Sequence, residues 1–193
     1  MEGQKQENKR LWFWWLVFIV LIVVATLLIV KLSSVDFKLQ KNQPGLYSVN
    51  QFIDGDTIAV DMNGTVETVR MIGVDTPETH RPNTPVQCYG PQAADYTKSL
   101  IGKNRVRLQA DPLDTNRDRY GRLLRYVYLP DGRMVEEELI RHGYGFAYTQ
   151  FPFLKSVEFK MAESDAKYGG RGLWSACQVT VESNGRQQTN PAQ

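Results

Sequence analysis

Two aspartates, Asp56 and Asp75, stand in short polar strings that suit a metal site, Ile-Asp-Gly-Asp-Thr and Val-Asp-Thr-Pro-Glu. With the backbone carbonyl of Thr76 they offer the oxygen ligands that a hard cation such as Ca²⁺ prefers. Neither Cys nor His stands among them, which argues against zinc. A purely structural interpretation stays open here, because Asp-Gly is a common turn and Asp-Thr-Pro is a common start of a loop.

Charged residues that suit phosphate chemistry stand nearby. Arg70 lies five residues before Asp75, Glu78 lies three residues after it, and Arg122 belongs to a second arginine-rich stretch. A guanidinium group can hold two phosphate oxygens at once, and a carboxylate beside a metal can orient or deprotonate a water molecule. The set favours metal-assisted phosphodiester cleavage, in which the cation and the arginines neutralise the phosphate and stabilise the transition state.

Taken singly, each arginine also has a structural interpretation. Arg70 could pair with Glu67 or Asp75 on a strand face, and Arg122 could be a solvated turn residue. Their occurrence together with the carboxylates favours the catalytic interpretation. The formal net charge of +2 is too small to coat nucleic acid non-specifically, so we expect local binding through the arginines at 117, 119, 122 and 125.

Six strings agree in order and spacing with one known family: the chain resembles the staphylococcal nuclease (thermonuclease) family from about residue 47 to residue 174. The strings are Ile-Asp-Gly-Asp-Thr at 53–57, the segment 70–78, Tyr-Gly-Pro-Gln-Ala at 89–93, Asp-Arg-Tyr-Gly-Arg at 118–122, Met-Val-Glu-Glu at 134–137 and Gly-Leu-Trp at 172–174. The resemblance implies a nuclease that cleaves the bond between phosphorus and the 5′ oxygen in DNA and RNA and leaves 3′-phosphorylated products.

The resemblance also implies roles for residues at matching positions. The implied Ca²⁺ ligands are Asp56, Asp75 and, through its carbonyl, Thr76. The implied catalytic groups are Arg70, Glu78 and Arg122. The implied contacts to phosphate or nucleotide are Arg119, Tyr120 and Tyr148.

Two positions depart from the family pattern. Arg119 stands where the type member has lysine, which keeps the positive charge but changes its hydrogen-bonding geometry. Gly73 replaces an aliphatic residue. We interpret the two histidines as structural, His80 in a Pro-rich loop and His142 in the last turn of a helix.

Periodicity predicts five strands and three helices, an α+β fold. The strands are expected at 46–53, 57–62, 65–74, 104–110 and 123–129, with Asn63-Gly64 as a strong hairpin signal. The helices are expected at 91–101, 134–142 and 153–168. In the third helix, the apolar stripe expected to face the core consists of Leu154, Val157, Met161, Ala162 and Ala166. The family resemblance implies that the strands form an OB-fold barrel, whose open face commonly receives nucleic acid.

Residues 11–30 form an uncharged stretch rich in Leu, Val, Ile, Phe and Trp. As a helix it would be about 30 Å long, enough to cross a bilayer, and it is apolar on every side. We expect an uncleaved transmembrane helix. The alternative is a secreted protein with a cleaved signal peptide, for which Leu-Ser-Ser at 32–34 is a poor cleavage site. Positive charges are denser ahead of the stretch than after it, which predicts a cytoplasmic amino end and a domain outside the cell.

The resulting organisation has a short tail at 1–10, the membrane helix, a linker at 31–45, a nuclease domain at 46–178 and a polar tail at 179–193 that we expect to be disordered. The two cysteines, Cys88 and Cys177, would meet an oxidising environment outside the cell, and we hypothesise a disulfide between them. We predict a monomer without a protein partner.

Two functions of other classes fit parts of the sequence. One is a non-catalytic module that binds nucleic acid or protein, because OB-like barrels often only bind. The other is a membrane-tethered scaffold. We favour the enzyme, because both candidate metal carboxylates and all three candidate catalytic groups are present.

Overall fold

The computed structural model describes residues 12, 14–27, 29, 45–79 and 85–192. It divides into two units, residues 1–44 and 45–193. In the first unit, residues 14–27 are helical. Among the described residues, no helix combines the length and the hydrophobicity needed to cross a membrane. The predicted tail at 1–10, residues 31–44 of the predicted linker, and residues 11, 13, 28 and 30 of the predicted span lie outside the described part.

The second unit contains nine strands within its described residues. In chain order they are β1 (Leu46–Asp54), β2 (Thr57–Met62), β3 (Thr65–Met71), β4 (Val74–Asp75), β5 (Arg105–Gln109), β6 (Leu123–Tyr128), β7 (Phe146–Ala147), β8 (Val179–Val181) and β9 (Gln187–Thr189). Five of them close into a barrel in the order β1-β2-β3-β6-β5, with β3 and β6 parallel. The predicted five-stranded OB-type barrel is therefore confirmed.

The turn between β2 and β3 follows from two residues. Asn63 and Gly64 have φ values of 58° and 91°, as a type I′ turn requires, and Met62 pairs with Thr65 across it. This hairpin sets the register in which Thr57 pairs with Arg70 at the far end of the two strands. A strong local turn signal thus fixes the position of a candidate catalytic arginine in the sheet.

The helices are α1 (Gly90–Ile101), α2 (Val135–Arg141), α3 (Ser156–Tyr168) and a short α4 (Leu173–Ala176). A hydrophobic cluster joins the barrel to α1, α2 and α3, with Ile58 and Val127 from the strands and Leu139 and Phe159 from α2 and α3, all fully buried. Burial of each such side chain is worth roughly 1.5–3 kcal/mol. This core holds the strand ends that carry the candidate site.

The predicted apolar stripe of α3 is wrong in part. Leu154, Val157 and Met161 are more than 60% exposed, whereas Phe159 is fully buried together with Ala162 and Ala166. Phe159 packs against Phe153 and Tyr126, with ring centroids 5.5 and 6.4 Å apart. Burial of this large ring turns the helix away from the expected face, and the helix begins at Ser156 rather than at 153 because Phe153 itself points into the core.

The prediction of a disordered tail at 179–193 is wrong for the described residues 179–192. Strands β8 and β9 form a hairpin, and the segment continues by donating from Ala192 N to Val86 O at 2.7 Å. A disulfide joins Cys88 to Cys177, just before β8, with a Cα–Cα distance of 5.9 Å. The disulfide and the backbone hydrogen bonds order this segment, although its polar side chains predict disorder.

Candidate active site

A cleft of about 1090 Å³ lies where β1, β2 and β3 meet the loop at 114–122. Eight of the predicted site residues line it: Asp56, Arg70, Asp75, Glu78, Arg119, Tyr120, Arg122 and Tyr148. Thr76 is buried beside it, at 5% exposure. The fold therefore brings together residues that lie up to 92 positions apart in the printed sequence.

Two carboxylates lie at the floor of this cleft and share one arginine. Asp56 stands in the turn after β1 and Asp75 ends β4, and both are buried. Arg70 Nη1 lies 3.1 Å from Asp56 Oδ2, and Arg70 Nη2 lies 3.0 Å from Asp75 Oδ1. Burial raises the pKa of Asp75 and the negative charge of Asp56 adds to this, against the lowering effect of Arg70 and Arg186. The pair therefore needs positive charge close to it.

Arg70 is fixed by more than these ion pairs. Its Nη1 also donates to the carbonyls of Met71 and Val74, at 3.1 and 2.7 Å, and its side chain is only 13% exposed. The structural alternative of a pair with Asp75 is thus realised, while Glu67 pairs with Arg117 instead, at 2.9 Å. The ion pair with Asp75 is compatible with a catalytic role, because it places the guanidinium at the cleft floor.

Thr76 is held beside the carboxylates through its backbone. Thr76 N donates to Asp56 Oδ2 at 3.0 Å, and a Cβ added at Gly55 would lie 2.7 Å from Thr76 Oγ1. Thr76 Oγ1 is itself buried with no hydrogen-bond partner among the described residues. Gly55 therefore permits the close approach that brings the Thr76 backbone to Asp56.

The donor atoms at the cleft floor meet part of what a cation needs. The described residues contain no group of three or more His, Cys, Asp and Glu side chains that could hold a metal. Two buried carboxylates and a neighbouring carbonyl do fit Ca²⁺, because this ion accepts carbonyl and water oxygens for the rest of its coordination shell. The residues present are therefore oxygen donors of the kind that Ca²⁺ accepts, but the described side chains are too few to complete its coordination shell.

Glu78 reaches the cleft from a segment that two other residues hold in place. Glu78 N donates to Gln87 Oε1 at 2.7 Å, and Gln87 N donates to Glu78 O at 2.9 Å. One residue further, Thr79 Oγ1 donates to Asp54 Oδ1 at 3.0 Å. Asp54, which the sequence presents as a turn residue, thus fixes the backbone next to Glu78. The following residues 80–84, including His80, lie outside the described part.

The opposite wall is the loop at 118–122. Arg122 Nε donates to Asp118 Oδ2 at 2.7 Å, and its guanidinium lies 5.5 Å from the centroid of the Tyr120 ring. Arg119 lies 4.8 Å from the same centroid and donates from Nη2 to the Tyr120 hydroxyl at 2.7 Å. Tyr120 is 67% exposed. An exposed ring close to two arginines combines an aromatic surface on which a base can stack with positive charge for the phosphates.

The other two expected arginines, Arg117 and Arg125, form contacts within the protein. Arg117 lines the cleft but pairs with Glu67, and Arg125 donates to Asn116 Oδ1 at 2.6 Å. Tyr148 lines the cleft on the other side, where its backbone nitrogen donates to Gly73 O at 2.8 Å. Of the predicted cluster of four arginines, Arg117, Arg119 and Arg122 therefore line the cleft and Arg125 does not.

Sequence reasoning missed one residue of the site. Arg186, in the polar tail, lines the cleft and donates from Nε to Asp75 Oδ2 at 2.9 Å. No motif surrounds it, and its partner lies 111 positions earlier in the chain. A lone arginine in a segment without apolar periodicity gives no signal that could have found this contact.

Residues 68–176 match the family described as staphylococcal nuclease homologue. This is more than half of the chain, and the chain belongs to that family. The matched segment runs from β3 to the end of α4, so it includes Arg70 and Arg122 but neither Asp56 nor the hairpin that carries Arg186.

Three relatives show how far the similarity extends. Endonuclease YncB of Bacillus subtilis is 44% identical over 139 residues, which are 70% of this chain and 65% of that protein. The thermonuclease of Staphylococcus hyicus is 45% identical over 130 residues, 67% of this chain and 75% of that protein. The SPbeta prophage-derived endonuclease YokF of Bacillus subtilis is 43% identical over 130 residues, 66% of this chain and 43% of that protein. The chain thus spans less than two thirds of either Bacillus protein.

Proposed function

We propose that this protein is a Ca²⁺-dependent nuclease that hydrolyses phosphodiester bonds of DNA and RNA. The observation that carries the proposal is the bridge of Arg70 between Asp56 and Asp75 in a cleft that Glu78 and Arg122 also line. Membership of the staphylococcal nuclease homologue family supports it, as do relatives named endonuclease and thermonuclease.

Asp56, Asp75 and the carbonyl of Thr76 would hold the Ca²⁺ ion. When bound, the ion supplies positive charge that neutralises the phosphate and stabilises the charge that develops in the transition state. The position of both carboxylates supports this assignment, because they are neighbouring oxygen donors at the floor of the cleft, and Ca²⁺ prefers such ligands.

The chain's own residues divide the remaining work. Arg70 and Arg122 bind the phosphate oxygens, and they hold the scissile group in one orientation through their planar guanidinium groups. Glu78 orients the attacking water and accepts its proton as the new bond to phosphorus forms. The bond from phosphorus to the 5′ oxygen breaks, the 5′ oxygen takes a proton from solvent, and the phosphate remains on the 3′ side.

Arg119, Tyr120 and Tyr148 would bind the nucleotides beside the scissile bond. The exposed ring of Tyr120 close to two guanidinium groups supports this role, because stacking on an aromatic face tolerates any base. Such binding suits a nuclease that acts on both DNA and RNA. We propose that it acts as a monomer and needs no protein partner.

Cleavage assays with the purified chain test the proposal. Single-stranded DNA, duplex DNA and RNA are incubated with Ca²⁺, with a chelator, and with the variants Glu78→Gln and Arg122→Ala. We expect no cleavage with chelator and a loss of roughly a hundredfold or more in each variant. The matched controls Glu158→Gln and Arg133→Ala alter exposed residues that do not line the cleft and should keep full activity.

A non-catalytic binding module is the outcome that would replace this proposal. It would bind Ca²⁺ and single-stranded DNA in the same preparation but release no product. Analysis of the product ends tests the bond that is cleaved, because a 3′-phosphate blocks extension by a polymerase until a phosphatase removes it. Extension without phosphatase treatment would contradict the proposed position of cleavage.

We further propose that residues 11–30 anchor the protein in the cell membrane, with the amino end inside and the nuclease domain outside. The uncharged apolar composition of this stretch and the disulfide, which suits an oxidising compartment, support this location. Secretion after signal cleavage is the alternative. Membrane fractions of intact cells should contain the full-length chain, and added protease should remove the domain; full-length protein protected from the protease would contradict the orientation.

A further inference from the structure

The turn of the β8–β9 hairpin places Arg186 directly beside the cleft. Gly185, with φ +84°, donates from its nitrogen to Glu182 O at 2.8 Å, and Glu182 N donates to Arg186 O at 2.8 Å. This tight turn puts Arg186 immediately before β9. Its side chain lines the cleft wall and is 25% exposed.

The hairpin is fastened to the domain on both sides of Arg186. Cys177, immediately ahead of β8, is joined to Cys88, and Thr189 Oγ1 donates to Cys88 O at 2.8 Å. Next to Arg186, Gln187 Nε2 donates to Glu163 Oε1 of α3 at 2.9 Å. The arginine therefore occupies a fixed position rather than the end of a loose tail.

Arg186 uses only part of its guanidinium within the protein. Its Nε donates to Asp75 Oδ2 at 2.9 Å, but its two terminal nitrogens donate no hydrogen bond within the described part of the chain. Arg70, by comparison, uses Nη1 on Asp56 and two backbone carbonyls and one N–H of Nη2 on Asp75, so within the described residues only the second N–H of Nη2 is left for a phosphate oxygen. A guanidinium anchored through Nε on a carboxylate, with its fork left open toward a cleft, is arranged to receive an anion with two oxygens.

The charges at the cleft floor agree with this role. The carboxylates of Asp56 and Asp75 are balanced by the guanidinium groups of Arg70 and Arg186 before any cation binds. A bound Ca²⁺ would then make the cluster positive, which favours a phosphate diester. Without Arg186, the same cluster would carry one positive charge fewer when the ligand arrives.

We propose that Arg186 is a further phosphate-binding arginine of the cleft and that the β8–β9 hairpin forms part of the nucleic-acid binding surface. This inference rests on the proposed nuclease function and adds a residue that lies outside the segment matched to the family. Arg186 binds a phosphate of the substrate through its terminal nitrogens while its Nε keeps Asp75 oriented.

The test measures binding rather than turnover. The full chain carrying Glu78→Gln, in which we expect cleavage to be slowed roughly a hundredfold or more, is titrated into a fluorescein-labelled single-stranded DNA of about twelve nucleotides in Ca²⁺, and anisotropy is recorded from roughly 50 to 200 mM KCl. Arg186→Gln is compared with Arg141→Gln, a variant with the same change of charge on α2, where Arg141 pairs with Glu137 outside the cleft. Circular dichroism and thiol titration report on fold and disulfide.

We expect Arg186→Gln to weaken DNA binding roughly tenfold, as loss of a charge-assisted contact predicts. The slope of log affinity against log salt should become shallower by about 0.7, the contribution of one phosphate contact on a single strand. Calorimetry should show Ca²⁺ affinity at least equal to that of the Glu78→Gln parent, because a positive charge beside Asp75 is lost. Arg141→Gln should change neither quantity.

Several results would overturn the inference. Salt slopes and affinities equal to those of Arg141→Gln would remove the phosphate contact, and lost Ca²⁺ binding by a folded Arg186→Gln would reduce the residue to a support for Asp75. If Arg186→Gln does not fold, Arg186→Lys carries the test: we expect an unchanged slope and about threefold weaker binding, and binding equal to the control overturns the proposal. Cleavage by the wild-type chain with no effect of Arg186 refutes this inference alone; no binding or cleavage by the wild type refutes the proposed function with it.

Discussion

Asp118 accepts two hydrogen bonds from Arg122. One carboxylate oxygen accepts from the Arg122 backbone nitrogen at 3.0 Å, and the other accepts from Nε at 2.7 Å. The contact holds Arg122 in the wall of the cleft, and its terminal nitrogens donate no hydrogen bond to the residues that the structure describes. The family resemblance implied a role for Arg122 but none for Asp118. Because Asp118 holds Arg122, it is a candidate positioning residue.

Asp118→Asn should lower kcat by about tenfold to a hundredfold and change KM little, because the amide cannot accept both hydrogen bonds with the same strength and Arg122 loses its orientation. Steady-state kinetics on single-stranded DNA measure the effect. Asp114→Asn is the matched control, since Asp114 lines the same cleft but accepts from Thr115 rather than from an arginine. Equal losses in the two variants would contradict the positioning role.

Gly73→Ala should destabilise the protein by about 2–4 kcal/mol. Gly73 has φ +72°, and an added Cβ would lie 2.6 Å from two ring atoms of Phe153. The structure thus explains why glycine replaces an aliphatic residue here: Phe153 already occupies the space. Urea unfolding measures the loss. Gly132→Ala, where φ is +90° and nothing lies within 4 Å, should cost less, and equal costs would refute the steric explanation.

Removal of the disulfide by Cys88→Ser with Cys177→Ser should lower the free energy of unfolding by up to roughly 4 kcal/mol, because the bond closes a loop with a sequence separation of 89. Hydrogen exchange should also become faster at the Cys88 amide, which donates to Asn190 O at 2.7 Å. A matched pair of surface serines replaced by alanine, Ser99→Ala with Ser175→Ala, controls for the substitutions. Unchanged unfolding and exchange would show that the hairpin is held without the bond.

Glu136→Gln should change how stability depends on pH. Glu136 is fully buried and accepts from Val127 N at 2.9 Å, and burial raises its pKa well above its ordinary value. Because the folded protein binds this proton more tightly than the unfolded chain, the resulting stability is fully present below the unfolded pKa of about 4.3 and is lost as pH rises through the folded pKa.

The measurement is urea unfolding across that pH range for the wild type and for Glu136→Gln. The free energy of unfolding of the wild type should fall relative to the variant by about 1.4 kcal/mol per pH unit between the unfolded and the folded pKa. The variant has no titrating group at this position, so it is the reference for the wild type. Parallel curves would show that the buried carboxyl does not titrate in this range.

The barrel and much of the site could be predicted because their signals are local. Asn63-Gly64 needs only its own backbone preference to make the hairpin, and alternating β-branched residues mark the strands on either side. Motif residues such as Arg70 and Glu78 carry their spacing within a short segment. Signals of this kind lie within a few neighbouring residues, so they can be read without knowledge of the contacts made by the rest of the chain.

The predictions that were wrong concern features that depend on contacts between distant segments. The direction of α3 is decided by how Phe159 meets Phe153 and Tyr126, and no periodicity in the helix reveals which of its two apolar sides will be covered. The position of Arg186 depends on hydrogen bonds between a polar hairpin and backbone groups more than a hundred positions earlier. Hydrogen bonds between backbones leave no trace in side-chain composition.

The disulfide also decides what a protease can do to this molecule. The exposed loop at Arg119 and Tyr120 lies between the two bonded cysteines, so a single cut there leaves both pieces covalently joined. Such a nicked molecule would migrate as two fragments only after reduction, and one piece would carry Asp56, Asp75 and Glu78 while the other carried Arg122 and Arg186. In surroundings rich in peptidases, clipping at this loop would therefore not separate the two halves of the cleft.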